Sequence, residues 1–425
     1  MKTTARPLKD RIESAWYRRP AFARTVLAFV VCTTIALVTV PTFSRGGRTG
    51  EARPFSIPSR ALQRWDINAL FYDYELLNLD LKEMAEAART TGRISLPVKR
   101  GRYDLKLEPN EILAPGFRAV MTTGSGMIEE TPAEVHTYRG RITGRRDSDV
   151  RLMIHGDLIS GYLRTGTEWI FLDPLSKYMP GALPGQVIAY RDADVRPEAR
   201  GMCGAEGLEK QAGRLLKGEV RGAALPVTRT IEVATDADFE FFQANGANSN
   251  AVIQGVINQV DGIYLAELNM TLRITFQNVY AAAEDPYTAT DASSLLGEFT
   301  NYWNANRGTV RRDVAHLFSG RSLGGTTVGL AWVGTVCSFP TYAYGISVPI
   351  ASYAKLVAHE MGHNFNAAHD DPSICNGAGP IMCAFVQNGP NQFSQVSEDT
   401  ITTFVTGFGG CLDQLLNARM DRELH

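Results

Sequence analysis

The chain has 425 residues, enough for two or three structural units, of which 44% are hydrophobic and 21% charged. That balance excludes a disordered chain and a multi-span membrane protein. With 43 Lys and Arg against 45 Asp and Glu the formal charge is −2, so there is no basic excess to neutralise phosphates and no nucleic-acid partner is expected.

At the N-terminus, Lys2, Arg6, Lys9, Arg11, Arg18, Arg19 and Arg24 precede Thr25–Val40, an uncharged apolar run that ends at Pro41. As a helix this run would be about 24 Å long, short of the ~30 Å hydrocarbon core. A basic flank followed by a short apolar stretch reads as an export signal. A retained single-pass anchor is the competing reading of residues 1–44, because no small-x-small cleavage site follows. Either way the remainder is expected to be secreted or extracytoplasmic.

Residues 45–60 are rich in Gly, Arg and Pro and read as a linker. Beyond them, segments 137–144, 150–155, 158–164 and 168–174 alternate partly and are separated by Gly and Asp turns, which predicts an antiparallel meander. After Pro226 the pattern turns α/β. Strands are expected at 230–236, 272–280, 314–319 and 327–334. Val252, Ile253, Val256, Ile257, Val260, Ile263, Tyr264 and Leu268 recur at helical steps. Leu295, Leu296, Phe299, Tyr302 and Trp303 mark a second helix with Asp291 as its N-cap. Helical spacing returns from about Ile350 to Phe365.

That last helix carries the chemistry, in the run His359-Glu360-Met361-Gly362-His363-Asn364-Phe365-Asn366-Ala367-Ala368-His369-Asp370. His359 and His363 lie one helical turn apart on one face, so both imidazoles can reach one tetrahedral Zn²⁺. Glu360 follows the first ligand and is positioned to act on water as general base. His369 comes six residues later, where a continuing helix would carry it off that face. The chain must turn, and Asn366, which tolerates the left-handed conformation, is the expected pivot. With seven His in the chain, a chance H-E-x-x-H is expected roughly 0.006 times. His155 and His316 stand alone in strand-like segments and are expected to be ordinary packed or surface residues.

This stretch resembles the metzincins, and among them the adamalysin/reprolysin (ADAM-type) metalloproteases. The resemblance extends to Gly379-Pro380-Ile381-Met382-Cys383, to the segments around 311–320 and 324–337, and to 391–401, covering about 226–415. More loosely, 137–174 resembles the reprolysin propeptide. Asn366 stands where the family usually has Gly. The resemblance implies an α/β fold: a metzincin-type catalytic domain, with a twisted, mostly parallel mixed sheet, an antiparallel edge strand, an active-site helix and a Met-turn, preceded by a β-rich prodomain. The segments would be a prodomain at 61–200, a connector with a cysteine switch at 201–225, a catalytic domain at 226–415 and a tail at 416–425.

The implied function is a zinc-dependent metalloendopeptidase made as a zymogen, with protein or peptide substrates, and a monomer is expected. The competing class is a catalytically degenerate metalloprotease-like binding module; the intact ligand set and Glu360 argue against it. The resemblance makes Met382 the Met-turn residue beneath the ligands, and makes strand 327–334 the edge along which an extended peptide pairs. It also matches Glu232 and Asp313 to acidic positions that hold a structural Ca²⁺ in relatives. Setting aside Cys32 and Cys203, four cysteines allow three pairings. The family pattern suggests Cys337–Cys411 and Cys375–Cys383, the second flanking the loop that leads to Met382. Cys203, followed by Gly204, would be the zymogen's zinc ligand, with activation cleavage near Arg214, Lys217 or Arg221.

Overall fold

The computed structural model describes residues 66–98, 101–130, 136–205, 208, 225–376, 379–386, 389 and 391–415. The signal or anchor segment 1–44, Cys32, the linker, the tail and Arg214, Lys217 and Arg221 lie outside the described residues. No helix among the described residues is long and apolar enough to cross a membrane.

The first half contains α1 (Ile67–Leu70), β1 (Glu75–Asn78), α2 (Leu81–Thr91), β2 (Arg93–Val98) and β3 (Gly101–Pro109). There follow β4 (Leu113–Thr123), β5 (Gly126–Glu130), β6 (Thr137–Ile142), β7 (Ser148–His155), β8 (Leu158–Thr165), β9 (Glu168–Pro174), β10 (Gln186–Arg191) and β11 (Met202–Cys203). The second half begins with β12 (Arg229–Ala237), α3 (Phe239–Asn245), α4 (Ser249–Leu268), β13 (Met270–Tyr280) and α5 (Ala292–Asn306). It continues with β14 (Val314–Phe318), β15 (Thr327–Ala331), β16 (Tyr344–Ser347), α6 (Tyr353–Asn364), α7 (Gln395–Phe408) and β17 (Asp413–Gln414).

The first sheet is antiparallel throughout, in the order β1-β10-β9-β8-β7-β6-β3-β2. Its meander β6–β9 is the one expected from the alternation. Gly156 (φ +54) and Gly166 (φ +55) make the reversals between β7, β8 and β9, adopting left-handed conformations that a side chain disfavours.

The second sheet has the order β11-β15-β16-β14-β12-β13-β4-β5, with β17 added to β12. Joins from β16 through β14, β12 and β13 to β4 are parallel, while β15 runs antiparallel to β16. This is the mixed sheet with an antiparallel edge strand expected of a metzincin. Three strands from the first half enter it: β4, paired parallel with β13, β5, paired antiparallel with β4, and β11, paired parallel with β15.

One face of this sheet buries Leu295, Leu296, Phe299 and Trp303 of α5 against Ala234, Phe276, Ala315 and Ile346. The other face packs Ile231, Val233, Leu272 and Ile274 against α4 and α6. That second core runs on without interruption into Tyr162, Trp169, Phe171, Ile188 and Tyr190 of the first sheet, so α4 lies between the two sheets. The described residues accordingly form one compact unit.

Candidate metal centre

Val357, Met361 and Phe365 pack into the shared core, and His359 and His363 lie on the other side of α6 with ring centroids 4.7 Å apart. Their Nε2 atoms approach to 3.1 Å. Each Nδ1 lies 2.7 Å from a backbone carbonyl, Ile381 O for His359 and Ala367 O for His363. Only an N–H satisfies a carbonyl, so Nδ1 carries the hydrogen and Nε2 presents a lone pair to the centre. Burial, helped by the neighbouring histidines, pushes His359 down to about 3 and His363 well below its ordinary value. Both rings are therefore neutral, the state in which imidazole ligates a metal.

The helix stops at Asn364, and Asn366 takes φ +73. Asn366 N donates to His363 O and Ala367 N to Gly362 O, which closes the turn. Asn366 thus performs the reversal for which glycine is the usual residue. His369 returns to the site, its ring 5.2 Å from His359 and 4.9 Å from His363.

Cys203 arrives from β11. Its segment is held on two sides: Met202 N donates to Thr326 O and Gly204 N to Gly329 O along β15, while Cys203 N donates to Ala384 O and Val386 N to Gly201 O. The thiol sits 3.4 Å from His363 Nε2 and 3.5 Å from Glu360 Oε2. One donor atom each from Cys203, His359, His363 and His369 all lie within 4.8 Å of one another. Gly201 is the glycine of this segment that lies tightest against the sheet. A Cβ on Gly201 would meet Val328 Cγ1 at 2.2 Å, whereas one on Gly204 would find only ordinary contacts at 3.5 Å.

Met382 is fully buried, and a Cβ on Gly362 would meet its sulfur at 2.7 Å. Gly362 is therefore what lets the thioether lie directly against the ligand helix. Asp370 anchors the far side: its N–H donates to Met382 O, and its Oδ1 accepts from Ser394 and Ser397 at the start of α7.

Three further residues were not singled out by sequence motifs. Gly329 on β15 leaves room for Glu360, whose Oε1 would lie 2.2 Å from an added Cβ. Lys355, buried one turn before His359, donates to Gly379 O at 3.3 Å and so ties α6 to the loop leading to Met382. Desolvation lowers its pKa to about 8. Gly362 is the third. A lone glycine or lysine inside a strand or helix pattern carries no signal of what will pack over it.

Cys337 is joined to Cys411 and Cys375 to Cys383, and Cys203 is in neither bridge. The calcium expectation finds no support. Glu232 Oε2 accepts from Arg311 Nε at 2.7 Å, and Asp313 Oδ2 accepts from Glu232 N at 2.8 Å. Burial raises Asp313 to about 7. His316 is buried with Nε2 2.7 Å from Ser347 Oγ, and His155 stacks edge-on with His136. Neither approaches the centre.

Three imidazoles on a helix and its return loop, a buried methionine below and an antiparallel strand beside them make up a metzincin-type fold with a candidate metal centre. Residues 227–400 match the metallo-peptidase family M12. The human disintegrin and metalloproteinase domain-containing protein 9 is 29% identical over 333 residues, covering 72% of this chain and 40% of that protein. The chain thus spans less than half the length of that relative.

Proposed function

We propose that the chain is an exported zinc endopeptidase made as a zymogen, with residues 61–200 as prodomain, 201–225 as connector and 226–415 as catalytic domain. The observation that carries this reading is the Cys203 thiol among three histidine nitrogens. Around a tetrahedral Zn²⁺ with Zn–N near 2.05 Å and Zn–S near 2.3 Å, donors stand roughly 3.3–3.6 Å apart. The N–N separation of 3.1 Å and S–N separation of 3.4 Å fit that set. His359, His363 and His369 would be the permanent ligands, with Cys203 in the fourth position until activation.

When bound, zinc supplies Lewis acidity toward a peptide carbonyl and lowers the pKa of water. Glu360 then takes the water's proton as general base and returns it to the leaving amine. Its carboxylate, fully buried against Gly329, is close to both the ligands and the edge where substrate would lie. β15 would pair with an extended peptide, and β11 holds that edge in the zymogen. Export supplies the oxidising compartment in which both disulfides persist.

The test compares hydrolysis of a peptide library by the processed protein with and without a chelator. Chelator-sensitive cleavage is expected. Zinc binding with no cleavage of any peptide would favour the degenerate binding module.

A further inference from the structure

The space beside the first turn of α6 is filled by two charged side chains of the first half. Asp192 and Arg200 lie on the segment that leads into β11, and their side chains are 5% and 0% exposed. Arg200 Nη2 donates to Asp192 Oδ1 at 3.3 Å and to Asp192 O at 2.9 Å. The second half holds the rest of the carboxylate. Asp192 Oδ1 accepts from Ser352 Oγ at 2.7 Å, and its Oδ2 accepts from Gly389 N at 2.9 Å. Ser352 is the residue before α6. Gly389 lies three residues past Val386, whose N–H donates to Gly201 O on the side of β11 away from β15.

Lys355 adds a positive charge to this corner. It precedes His359 by four residues on α6, so the two share a face and stand about 6 Å apart along the axis. Both are tied to one loop: Lys355 Nζ donates to Gly379 O at 3.3 Å, and His359 Nδ1 to Ile381 O at 2.7 Å. Burial disfavours the ammonium's charge; Asp192 supports it and Arg200 opposes it. Both of these charged groups come from the first half, and neither would remain once that half has left the cleft. A buried ammonium stripped of its counter-charge is costly. The Ser352 hydroxyl and the Gly389 N–H, aimed at the place the carboxylate held, would lose their acceptor at the same time.

We infer that this corner selects an acidic side chain in the substrate: Ser352, Gly389 and Lys355 take the carboxylate of a Glu or Asp adjacent to the scissile bond, in the place that Asp192 holds in the uncut chain. The inference rests on the endopeptidase reading above and deepens it by naming the substrate class. Asp192 is thus a built-in mimic of the substrate's acid. The separation of about 6 Å from His359 suits the side chain of a neighbouring residue, because an extended peptide advances about 3.3 Å per residue.

The test uses the zinc-loaded protein cut in the connector. Peptides matched except for Glu or Gln at the two positions flanking the scissile bond are compared by kcat/KM. Glu should be favoured by roughly tenfold or more at one of the two, the worth of hydrogen bonds to a charged group. Lys355→Met should bring that ratio close to one, and Lys355→Arg should keep the acidic preference. Because each ratio is taken within one protein preparation, a smaller folded fraction does not change it. If Lys355→Met fails to fold, Ser352→Gly takes its place. Glycine suits the φ of +54 at that position, and loss of the hydroxyl should lower the ratio. Gln peptides cleaved as well as Glu peptides by the parent would overturn the inference and leave the endopeptidase reading standing. An acidic preference unchanged in Lys355→Met, or in Ser352→Gly where that variant is used, would do the same. No cleavage of any peptide would overturn both.

Discussion

Cys203 Sγ lies 3.4 Å from His363 Nε2 although 160 residues separate them in the chain. The approach is built into the backbone: β11 is bonded on one side to β15 and on the other to Ala384 and Phe385, so the thiol has little freedom to be elsewhere. Substrate would need the same sheet edge and the same corner of the site. On the proposed reading, one short strand would block both.

From this follows the effect of removing the thiol. Full-length Cys203→Ala, compared with the unprocessed parent at equal zinc content, should hydrolyse a short peptide at least tenfold faster. Equal, low activity in both proteins would show that Cys203 does not maintain latency.

Glu360→Gln preserves shape and removes the base. Zinc should stay near one per chain while turnover in the processed enzyme falls on the order of 10²–10⁴-fold, the usual worth of a positioned general base. His363→Ala should lose metal and activity together. Atomic absorption paired with peptide hydrolysis separates the two behaviours.

Gly329→Ala tests a residue that only the packing reveals. Its Cβ would collide with the Glu360 carboxylate, so turnover should drop at least tenfold with the zinc content unchanged. Unaltered turnover would mean that Glu360 has room to shift without loss, contrary to the tight placement described.

The buried carboxylate of Asp236, bonded to Tyr287 Oη and Trp303 Nε1, is pushed by desolvation from 3.8 to about 6. A raised carboxyl pKa contributes stability that is full below the unfolded value and is lost as pH rises through the folded one. The parent should therefore lose about 3 kcal/mol from this group between roughly pH 4 and 6. Asp236→Asn cannot ionise and should lose less over that range. Parallel melting curves of parent and variant at pH 4, 5 and 6.5 check it, and identical pH slopes would contradict it.

The histidine cluster was legible because helical period and chemistry coincide: His359 and His363 share a face, and Asn366 had to turn the chain for His369 to return. The meander β6–β9 was legible for the same reason, since its alternation has one period. Other features depend on distant partners. Strand β15 ends at Ala331, before the expected 334, as the chain turns toward Gly334 (φ +67). Nothing in Leu113–Glu130 announces that it joins the sheet of the M12 region, because parallel pairing leaves no local signature. Glycines at 201, 255, 262, 329 and 362 read as interruptions until the side chains over them are seen. Gly201, two residues before the thiol, is where that segment closes on residues 326 and 328.

Sulfur ligation in the latent protein is the most direct test of the whole account. Zinc K-edge X-ray absorption on the full-length protein should give one sulfur near ~2.3 Å with three nitrogen donors, and Cys203→Ala should replace that sulfur with a nitrogen or oxygen donor. A zinc site without sulfur in the parent, or one unchanged by the substitution, would contradict it.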